Sequence, residues 1–400
     1  MLKFKWETEF KGTEIGEVPR VWEERFLGDE LDIKYGKGLP EQERREGNIP
    51  VFGSSGIIGY HGVAYSKGPG LVIGRKGNIG SIYLSKTDFY PIDTVFYAEN
   101  VKNAQFIYYL FSSLSIEQLM SDSAVPGLNI NFLKNMKIPY PSPEEQTRIA
   151  TVLSWFDDLI ENKKRQNEIL EKVTMAIFKS WFVDFEPFKD EEFVYSEELG
   201  KEIPRGWEVD FATRLIDYNP SIRLEKEEVY PFVEMKQVYT NSAVCEFSFR
   251  KFNGSGVKYY GGDTLMARIT PSLEHGKTAF VWFISENEKG FGTTEFFVLH
   301  PKKSWLKEFI YLLAKNEDFR DTAINSMTGT SGRQRADVEA LKSYLIPIPP
   351  PLILQKFHSL VEPLFQKIIL NQKQTMILRK IRDTLLPKLV FGKLRVEVLR

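Results

Sequence analysis

The chain has 400 residues, of which 42% are hydrophobic and 27% are charged, and its formal net charge is −1. This length and apolar content suffice for two domains with separate cores, and no run approaches the roughly 18 apolar residues that a membrane span needs. The near-neutral charge excludes a uniformly basic DNA-binding domain. Because Cys245 is the only cysteine and the N-terminus, MLKFKWETEF, does not resemble a signal peptide, we expect a cytoplasmic protein.

The first part of the chain, residues 1–142, is predicted to be a globular domain of mixed and mainly β structure. It opens with a Pro-Arg-x-Trp turn in EIGEVPRVWE and continues with short β-type runs such as GLVIG and SIYL, separated by frequent glycine turns. Between Lys34 and Lys86, eight basic residues stand against three acids. A local surplus of positive charge of this kind can meet phosphates even in a neutral chain.

At KIPYPSPEEQ the pattern changes to that of a long amphipathic helix, predicted over residues 143–185. Apolar residues recur there at steps of three and four, and a helix of about 40 residues would be roughly 60 Å long. The predicted buried stripe consists of Ile149, Val152, Leu153, Phe156, Ile160, Leu170, Val173 and Ile177. Residues 186–202 follow as an acidic linker, since eight acids face two lysines between Asp184 and Glu202.

The chain then repeats this order. ELGKEIPRGWE repeats the first Pro-Arg-x-Trp turn, residues 203–348 are predicted to be a second globular domain, and LIPIPPPLILQ opens a second long helix at residues 349–391. The predicted stripe of this helix is Leu360, Leu364, Ile368, Leu378, Ile381, Leu385 and Leu389. Two such helices would bury their stripes against each other as an antiparallel coiled coil, with the tail, residues 392–400, packing near the N-terminus. The predicted fold class is therefore α+β with a pseudo-twofold internal repeat.

This ordered set of features resembles the specificity subunit of type I restriction-modification systems. The resemblance covers the whole length and rests on the two variable globular halves, the two similar long helices and the P-x-P-x-x-E-Q type start of the first helix in PYPSPEEQ. The second copy departs from the pattern, because PPPLILQ lacks the glutamate before Gln355 and Pro363 lies inside the second helix.

The resemblance implies a non-catalytic subunit whose two target recognition domains read a bipartite, asymmetric site in double-stranded DNA. It also implies two modification (methyltransferase) subunits docked on the helices, together with ATP-dependent restriction subunits. No cofactor is expected in this chain, since S-adenosylmethionine, ATP and magnesium would be bound by those partners.

Glycine loops in the first domain supply candidate DNA contacts. Glycine lets a backbone approach a partner closely, arginine and asparagine can read guanine and adenine, and lysine or serine can hold phosphate. The candidates in GSSGIIGYH and GRKGNIG are Ser54, Ser55, Tyr60, His61, Arg75, Lys76 and Asn78. The alternative interpretation is a pair of β-turns with solvated charges.

The second domain offers a matching set of candidate DNA contacts. In LMARITPSLEHGKTA they are Arg268, Thr270, Ser272, His275 and Lys277, and in TGTSGRQR they are Arg333, Gln334 and Arg335. The equivalent of the latter run in the first copy is VPGLNIN, with Asn129 and Asn131. TGTSGRQR and VPGLNIN could equally cap the short helices that follow them.

Other classes of function have weaker support in the sequence. HGKT at residues 275–278 ends like a phosphate-binding loop, but Pro271 occupies the position of its first glycine. Asp217, Glu234 and Lys236 imitate the spacing of a metal-dependent nuclease, without an equivalent in the first copy. A coiled-coil scaffold that binds only proteins is the remaining alternative.

Overall fold

The computed structural model describes residues 2–114, 128–330 and 332–398. It divides the chain into two compact units, which we call unit 1 (Met1–Ile160 with Ile377–Arg400) and unit 2 (Glu161–Met376). Both units mix strands with helices, and each has its own hydrophobic core.

The first half of the chain contains twelve strands among the described residues. They are β1 (Leu2–Trp6), β2 (Phe10–Thr13), β3 (Gly16–Pro19), β4 (Glu23–Phe26), β5 (Lys34–Tyr35), β6 (Ile49–Gly53), β7 (Gly56–His61), β8 (Gly70–Gly74), β9 (Ile82–Ser85), β10 (Tyr90–Pro91), β11 (Val95–Ala98) and β12 (Lys137–Tyr140).

The remaining described strands follow the first long helix. They are β13 (Phe193–Ser196), β14 (Lys201–Pro204), β15 (Glu208–Phe211), β16 (Ile216–Tyr218), β17 (Val229–Val233), β18 (Ser248–Lys251), β19 (Val257–Tyr260), β20 (Thr264–Ala267), β21 (Thr278–Phe280), β22 (Lys289–Gly292), β23 (Phe296–Pro301), β24 (Leu345–Ile348) and β25 (Leu394–Val398).

Two of the described α-helices are long and the others are short. They are α1 (Leu27–Glu30), α2 (Ala104–Ser112), α3 (Ile130–Lys134), α4 (Pro143–Phe182), α5 (Lys307–Lys315), α6 (Glu317–Asn325), α7 (Val338–Lys342) and α8 (Pro351–Val390). Within the described residues, no helix combines the length and apolar character that crossing a lipid bilayer requires.

The sheets of the two units have the same strand order. In unit 1, an antiparallel sheet of order β5-β11-β8-β9 accompanies a sheet of order β10-β6-β7, in which β10 and β6 are parallel. In unit 2, the corresponding orders are β16-β23-β20-β21 and β19-β22-β17-β18, again with one parallel pair, β22 and β17. Strands β22, β17 and β18 therefore correspond to β10, β6 and β7. The sequence repeat therefore corresponds to a repeat of topology, to which unit 2 adds strand β19.

Unit 1 also joins the two ends of the chain. Strand β1 pairs antiparallel with β25, from Leu2 opposite Val398 to Trp6 opposite Leu394. The adjoining parts of α4 and α8 are antiparallel there: Asp157 Oδ1 lies 2.5 Å from Arg382 Nη1, and the Arg148 side chain donates to the Val396 carbonyl oxygen at 2.8 Å. The tail thus lies beside the N-terminal segment.

In unit 2 the same two helices pack around an aromatic core with a polar layer. Phe178 and Phe357 lie 6.3 Å apart between ring centroids, whereas Asn167 and Asn371 meet farther along the pair. Asn371 Nδ2 donates to Asn167 Oδ1 at 2.9 Å, and both side chains are buried. The helices are antiparallel here too, and polar groups in such a core favour one register.

The predicted stripes are partly wrong. Val173 is 43% exposed, and in α8 the side chains of Leu360 and Ile381 are 46% and 41% exposed. The buried apolar residues of α8 in unit 2 are Leu354, Phe357, Val361, Phe365 and Ile368, of which only Ile368 belongs to the predicted stripe. Helix α8 has so many apolar residues that two neighbouring faces satisfy the helical period, and the packing of its two phenylalanines selects one of them.

Candidate nucleic-acid interface

Two loops of unit 1 meet at one end of its sheets. The turn between β6 and β7 contains Ser54 and Ser55, and the loop between β8 and β9 contains residues 75–81. Ser81 Oγ donates to the Ser54 carbonyl oxygen at 2.8 Å, and the Tyr83 hydroxyl donates to the same oxygen at 3.1 Å. The structure therefore brings the two glycine loops into one surface.

The side chains on this surface differ in their availability to a ligand. The exposed ones are Ser55, Lys76 and Asn78, and Ser54 is half-buried. Arg75 Nη1 donates to the Asp93 carbonyl oxygen at 3.0 Å, and its guanidinium carbon lies 5.0 Å from the centroid of the Tyr35 ring. Arg75 therefore holds the loop with one nitrogen and retains other donors.

Strand β7 carries the remaining two candidates of this loop, and they face different environments. Tyr60 is 57% exposed, whereas His61 is only 6% exposed. His61 Nδ1 accepts a hydrogen bond from the Arg45 backbone at 2.8 Å, and its ring packs edge-on against Tyr90. The prediction that His61 contacts DNA is corrected, because its ring is buried and positions a neighbouring loop.

Asn129 is a helix cap, which was the alternative interpretation of its motif. Its side chain accepts from the Asn131 backbone N–H at 2.8 Å at the start of α3. Asp337 caps α7 in the same way in unit 2, accepting from Glu339. Asn129 therefore has a structural role through its side-chain oxygen, and both Asn129 and Asn131 are exposed, so their contact with DNA stays a prediction. Residues 125–127 of the VPGLNIN motif lie outside the described residues.

In unit 2, the loop after β20 joins the loop before α7. The Thr270 backbone N–H donates to the Gln334 carbonyl oxygen, and the Gln334 N–H donates to Thr270 Oγ1, each at 3.1 Å. Ile269 and Arg335 form a β-bridge beside them. Two predicted sets of residues, separated by about 60 positions in sequence, are thus one surface.

Three basic candidates in this surface are engaged by the protein itself. Arg268 Nη2 donates to the Ala336 carbonyl oxygen at 3.3 Å, and Lys277 Nζ donates to the Met235 carbonyl oxygen at 3.0 Å. Arg335 forms two hydrogen bonds with Glu295, at 2.9 and 2.6 Å.

The Arg335 contact holds the pKa of the Glu295 carboxyl below its usual range, so the pair stays ionised. In the structure Arg268, Lys277 and Arg335 therefore order the loops, as Arg75 does in unit 1, and their contact with DNA stays a prediction. The predicted residues that remain available are Ser272, His275, Arg333 and Gln334, of which His275 and Arg333 are exposed.

The structure adds basic residues that the sequence reasoning missed. Arg250 and Lys251 end strand β18, and Lys236, which the sequence suggested only as part of a nuclease-like site, is exposed in the long connection between β17 and β18. The signal in the sequence was the run SFRK, but without a structure it did not differ from an ordinary solvated edge strand.

The nuclease alternative receives no support from the geometry. Glu234 pairs with Lys236 at 2.8 Å and also with Arg250, so its carboxylate is already engaged by cations. Within residues 2–114, 128–330 and 332–398, no group of three or more histidine, cysteine, aspartate or glutamate side chains could hold a metal ion.

Comparison with known families gives a match over most of the chain. The sequence model described as "Type I restriction modification DNA specificity domain" matches residues 19–172 and again residues 210–378. The two matched segments correspond to the two copies of the repeat.

Curated relatives match as well. The type I restriction enzyme MjaIX specificity subunit of Methanocaldococcus jannaschii is 38% identical over 442 aligned positions, covering 100% of this chain and 99% of the relative. The type I restriction enzyme EcoprrI specificity subunit of Escherichia coli is 30% identical over 143 positions, 34% of this chain and 36% of the relative.

A solved structure shares the fold. The crystal structure of the type I restriction-modification system S subunit from M. genitalium superposes with a TM-score of 0.56 at 19% sequence identity, covering 92% of this chain and 96% of that chain. The predicted α+β fold class with its internal repeat is confirmed.

Proposed function

Because the chain belongs to the family of type I restriction-modification specificity subunits, which are the non-catalytic components of these enzymes, we propose that it reads a bipartite, asymmetric site in double-stranded DNA and docks two modification subunits on its long helices. The observation that carries the proposal is the full-length relation to a specificity subunit, combined with the repeated sheet topology.

The DNA-reading part of the proposal is supported by the loop surfaces of both units. Each surface joins a glycine loop after the central strand to a second loop and leaves polar side chains exposed. In unit 1 these are Ser55, Tyr60, Lys76 and Asn78, and in unit 2 they are His275 and Arg333. Lysine and serine suit phosphate oxygens, whereas asparagine and arginine suit base edges in the major groove.

Exposed apolar residues on the long helices support docking of the modification subunits. In unit 1, Trp155 and Leu159 are 53% and 49% exposed, and in unit 2, Ile169 and Leu370 are 54% and 46% exposed. Exposed apolar side chains that lie together on a surface commonly mark a protein interface, and Trp155 and Leu159 are about one helical turn apart on α4. We assign the exposed apolar residues of each unit to contacts with modification subunits because the family acts in complexes with them.

The chemistry is assigned to the partners. S-adenosylmethionine would serve adenine methylation on the modification subunits, and ATP with magnesium would serve restriction subunits that translocate and cleave DNA. This chain would supply only the choice of sequence.

Exchange of one recognition segment tests the division of reading between the two halves. Replacing residues 203–348 with those of a relative of different specificity should change only one half of the recognised sequence, read by methylome sequencing of a host that expresses the complex. The reciprocal exchange of residues 13–142 is the matched control and should change only the other half.

A change of both halves by either exchange would contradict the proposal. Assembly with modification subunits without binding to duplex DNA would favour the scaffold alternative.

A further inference from the structure

A cleft of about 300 Å³ opens in unit 2, and its lining residue Thr294 precedes Glu295, the partner of Arg335 in the loop surface. It is lined by strand β18, by the turn after it and by the end of strand β22. We call it the Arg250 cleft, and its lining residues are Phe232, Arg250, Lys251, Asn253, Ser255, Gly256, Phe291, Gly292, Thr293 and Thr294.

The cationic wall of the cleft is built on an aromatic floor. The rings of Phe232 and Phe291 lie 4.7 Å apart between centroids, and the Arg250 guanidinium carbon lies 4.3 Å from the centroid of Phe232. Glu234 accepts a hydrogen bond from Arg250 and fixes its direction. An arginine held by stacking and by a carboxylate is already ordered, so it loses little rotamer freedom when it binds a ligand.

Lys251 is the freer cation of the pair. Its side chain is 70% exposed, and its ion-pair partner, Glu227, is itself 76% exposed and 3.9 Å away. An exposed contact at that distance contributes little and is easily exchanged for another anion. Lys251 can therefore turn to a ligand in the cleft at small cost.

The opposite wall is rich in hydroxyl groups and has a closely approaching backbone. Ser255 and Thr294 are exposed at its rim, and the Thr293 hydroxyl beneath them is buried without a hydrogen-bond partner among the described residues. Gly256 has φ +111°, and a Cβ there would lie 2.3 Å from the Gly292 carbonyl oxygen. Only glycine fits in this tight turn, which follows strand β18 directly.

We propose that the Arg250 cleft binds a backbone phosphate of the DNA that unit 2 reads, an inference that rests on the proposed function. A phosphate is the ligand that fits two cations opposite hydroxyl groups. The side-chain amide of Asn253, the type of group that reads adenine, is engaged inside the turn, since its Oδ1 accepts from the Ser255 N–H at 3.1 Å. The contact therefore positions the duplex without selecting its sequence.

The cleft distinguishes unit 2 from unit 1. Strand β7 occupies the place in unit 1 that β18 occupies in unit 2, and its sequence, GIIGYH, contains neither lysine nor arginine, although Arg44 of a neighbouring loop donates to the Ile58 carbonyl oxygen at 3.0 Å. The paired cations Arg250 and Lys251 on one strand are therefore a feature of unit 2.

The salt dependence of DNA binding tests the proposal. The full chain, assembled with its modification subunits, is titrated with a duplex that carries the sequence it methylates and with an unrelated duplex, over a series of KCl concentrations. Lys251→Gln should weaken binding to both duplexes by a similar factor and reduce the slope of log K against log [KCl] by about 0.9, the loss of one phosphate contact.

Lys303→Gln is the matched control, because Lys303 is exposed in the same unit, its side chain makes no cap hydrogen bond and it does not line the cleft. It should leave the slope unchanged. Arg250→Gln should act like Lys251→Gln. The thermal unfolding of this variant is measured as well, because the substitution also removes the ion pair between Arg250 and Glu234.

The outcomes separate the two hypotheses. A wild-type complex that binds neither duplex would overturn the proposed function itself. If the wild-type complex binds DNA and Lys251→Gln leaves the slope unchanged, only the assignment of a phosphate to the Arg250 cleft would be overturned. A Lys251→Gln variant that methylates a different sequence would also overturn it, because the contact would then be to a base.

Discussion

Trp22 and Trp207 occupy the same position in the two copies of the repeat, yet their surroundings differ in chemistry. In unit 1, Trp22 Nε1 donates to Glu145 Oε2 at 3.1 Å, and Arg395 Nη2 donates to the same oxygen at 2.7 Å. In unit 2, Trp207 packs between Phe185 and Phe188, with ring centroids 5.3 and 5.2 Å away. We call the surroundings of Trp22 the ionic site, because a carboxylate and an arginine hold the indole there, and the surroundings of Trp207 the aromatic site.

The difference follows from how the chain reaches each site. The repeat places Leu354 where unit 1 has Glu145, and Trp207 Nε1 has no hydrogen-bond partner among the described residues. In unit 2 the chain continues directly from α4 into the phenylalanines that cover Trp207. In unit 1 the covering strand, β25, comes from the far end of the chain and carries Arg395. A specific ion pair can fix such a separate segment in one register, which apolar contact alone does less well.

The aromatic site should be the more sensitive to truncation. Phe182 is 5% exposed and contacts the rings of Trp207, Phe309 and Phe357. Phe182→Ala is expected to cost about 3–5 kcal/mol of unit 2 stability, because it removes a buried ring and leaves a cavity. Hydrogen exchange of peptides from unit 2 in increasing urea measures this loss.

Its counterpart in unit 1 is the control for this experiment. Phe391 aligns with Phe182 but is only half-buried, so Phe391→Ala should cost clearly less. Equal losses at the two positions would show that the aromatic site has no special role.

The ionic site should depend on its arginine. Glu145 is 5% exposed as a side chain and Arg395 18%, so Arg395→Ala leaves a buried carboxylate with the Trp22 N–H but without its cation. We expect a loss of about 3 kcal/mol, at the lower end for a broken buried pair. The measurement is protection of β1 and β25 from hydrogen exchange.

Arg205→Ala is the matched control for the arginine. Arg205 pairs with Glu192, but both side chains are about two-thirds exposed, so its loss should cost below about 1 kcal/mol. If Arg395→Ala were as mild as Arg205→Ala, the ionic contact would not be what holds the C-terminal strand.

These sites also indicate what the sequence could predict. The repeated Pro-Arg-x-Trp turns and the proline-rich starts of the helices predicted the shared frame because such turns restrict the backbone locally. The choice of buried face in α8 was not predictable, since Phe357 and Phe365 pack against residues far away in sequence. The exchange of Glu145 for Leu354 was visible in the alignment, but its consequence for the two tryptophans was not.

The candidate nucleic-acid interface shows the same contrast between local signals, which the sequence reveals, and long-range contacts, which it does not. The loops with Arg75, Arg268 and Arg335 were found from glycine and arginine content, which are local signals. Whether each arginine remains free depended on Asp93, Ala336 and Glu295, which lie 18, 68 and 40 positions away. Arg250 and Lys251 were missed for the converse reason, because nothing in the SFRK run itself shows the cleft that surrounds it.

The smallest expected effect isolates the indole N–H. Trp22→Phe removes a donor from the buried Glu145 carboxylate, whereas Trp207→Phe removes an N–H that has no partner among the described residues. Both changes lose similar ring volume, so Trp22→Phe should destabilise its unit by about 1.5–3 kcal/mol more than Trp207→Phe does, the contribution of one hydrogen bond to a charged group. Urea denaturation with exchange readouts from each unit gives both values in one chain background. A larger loss at Trp207 would mean that shape complementarity among the phenylalanines, and not the ionic contact, is the stricter requirement of this repeated turn.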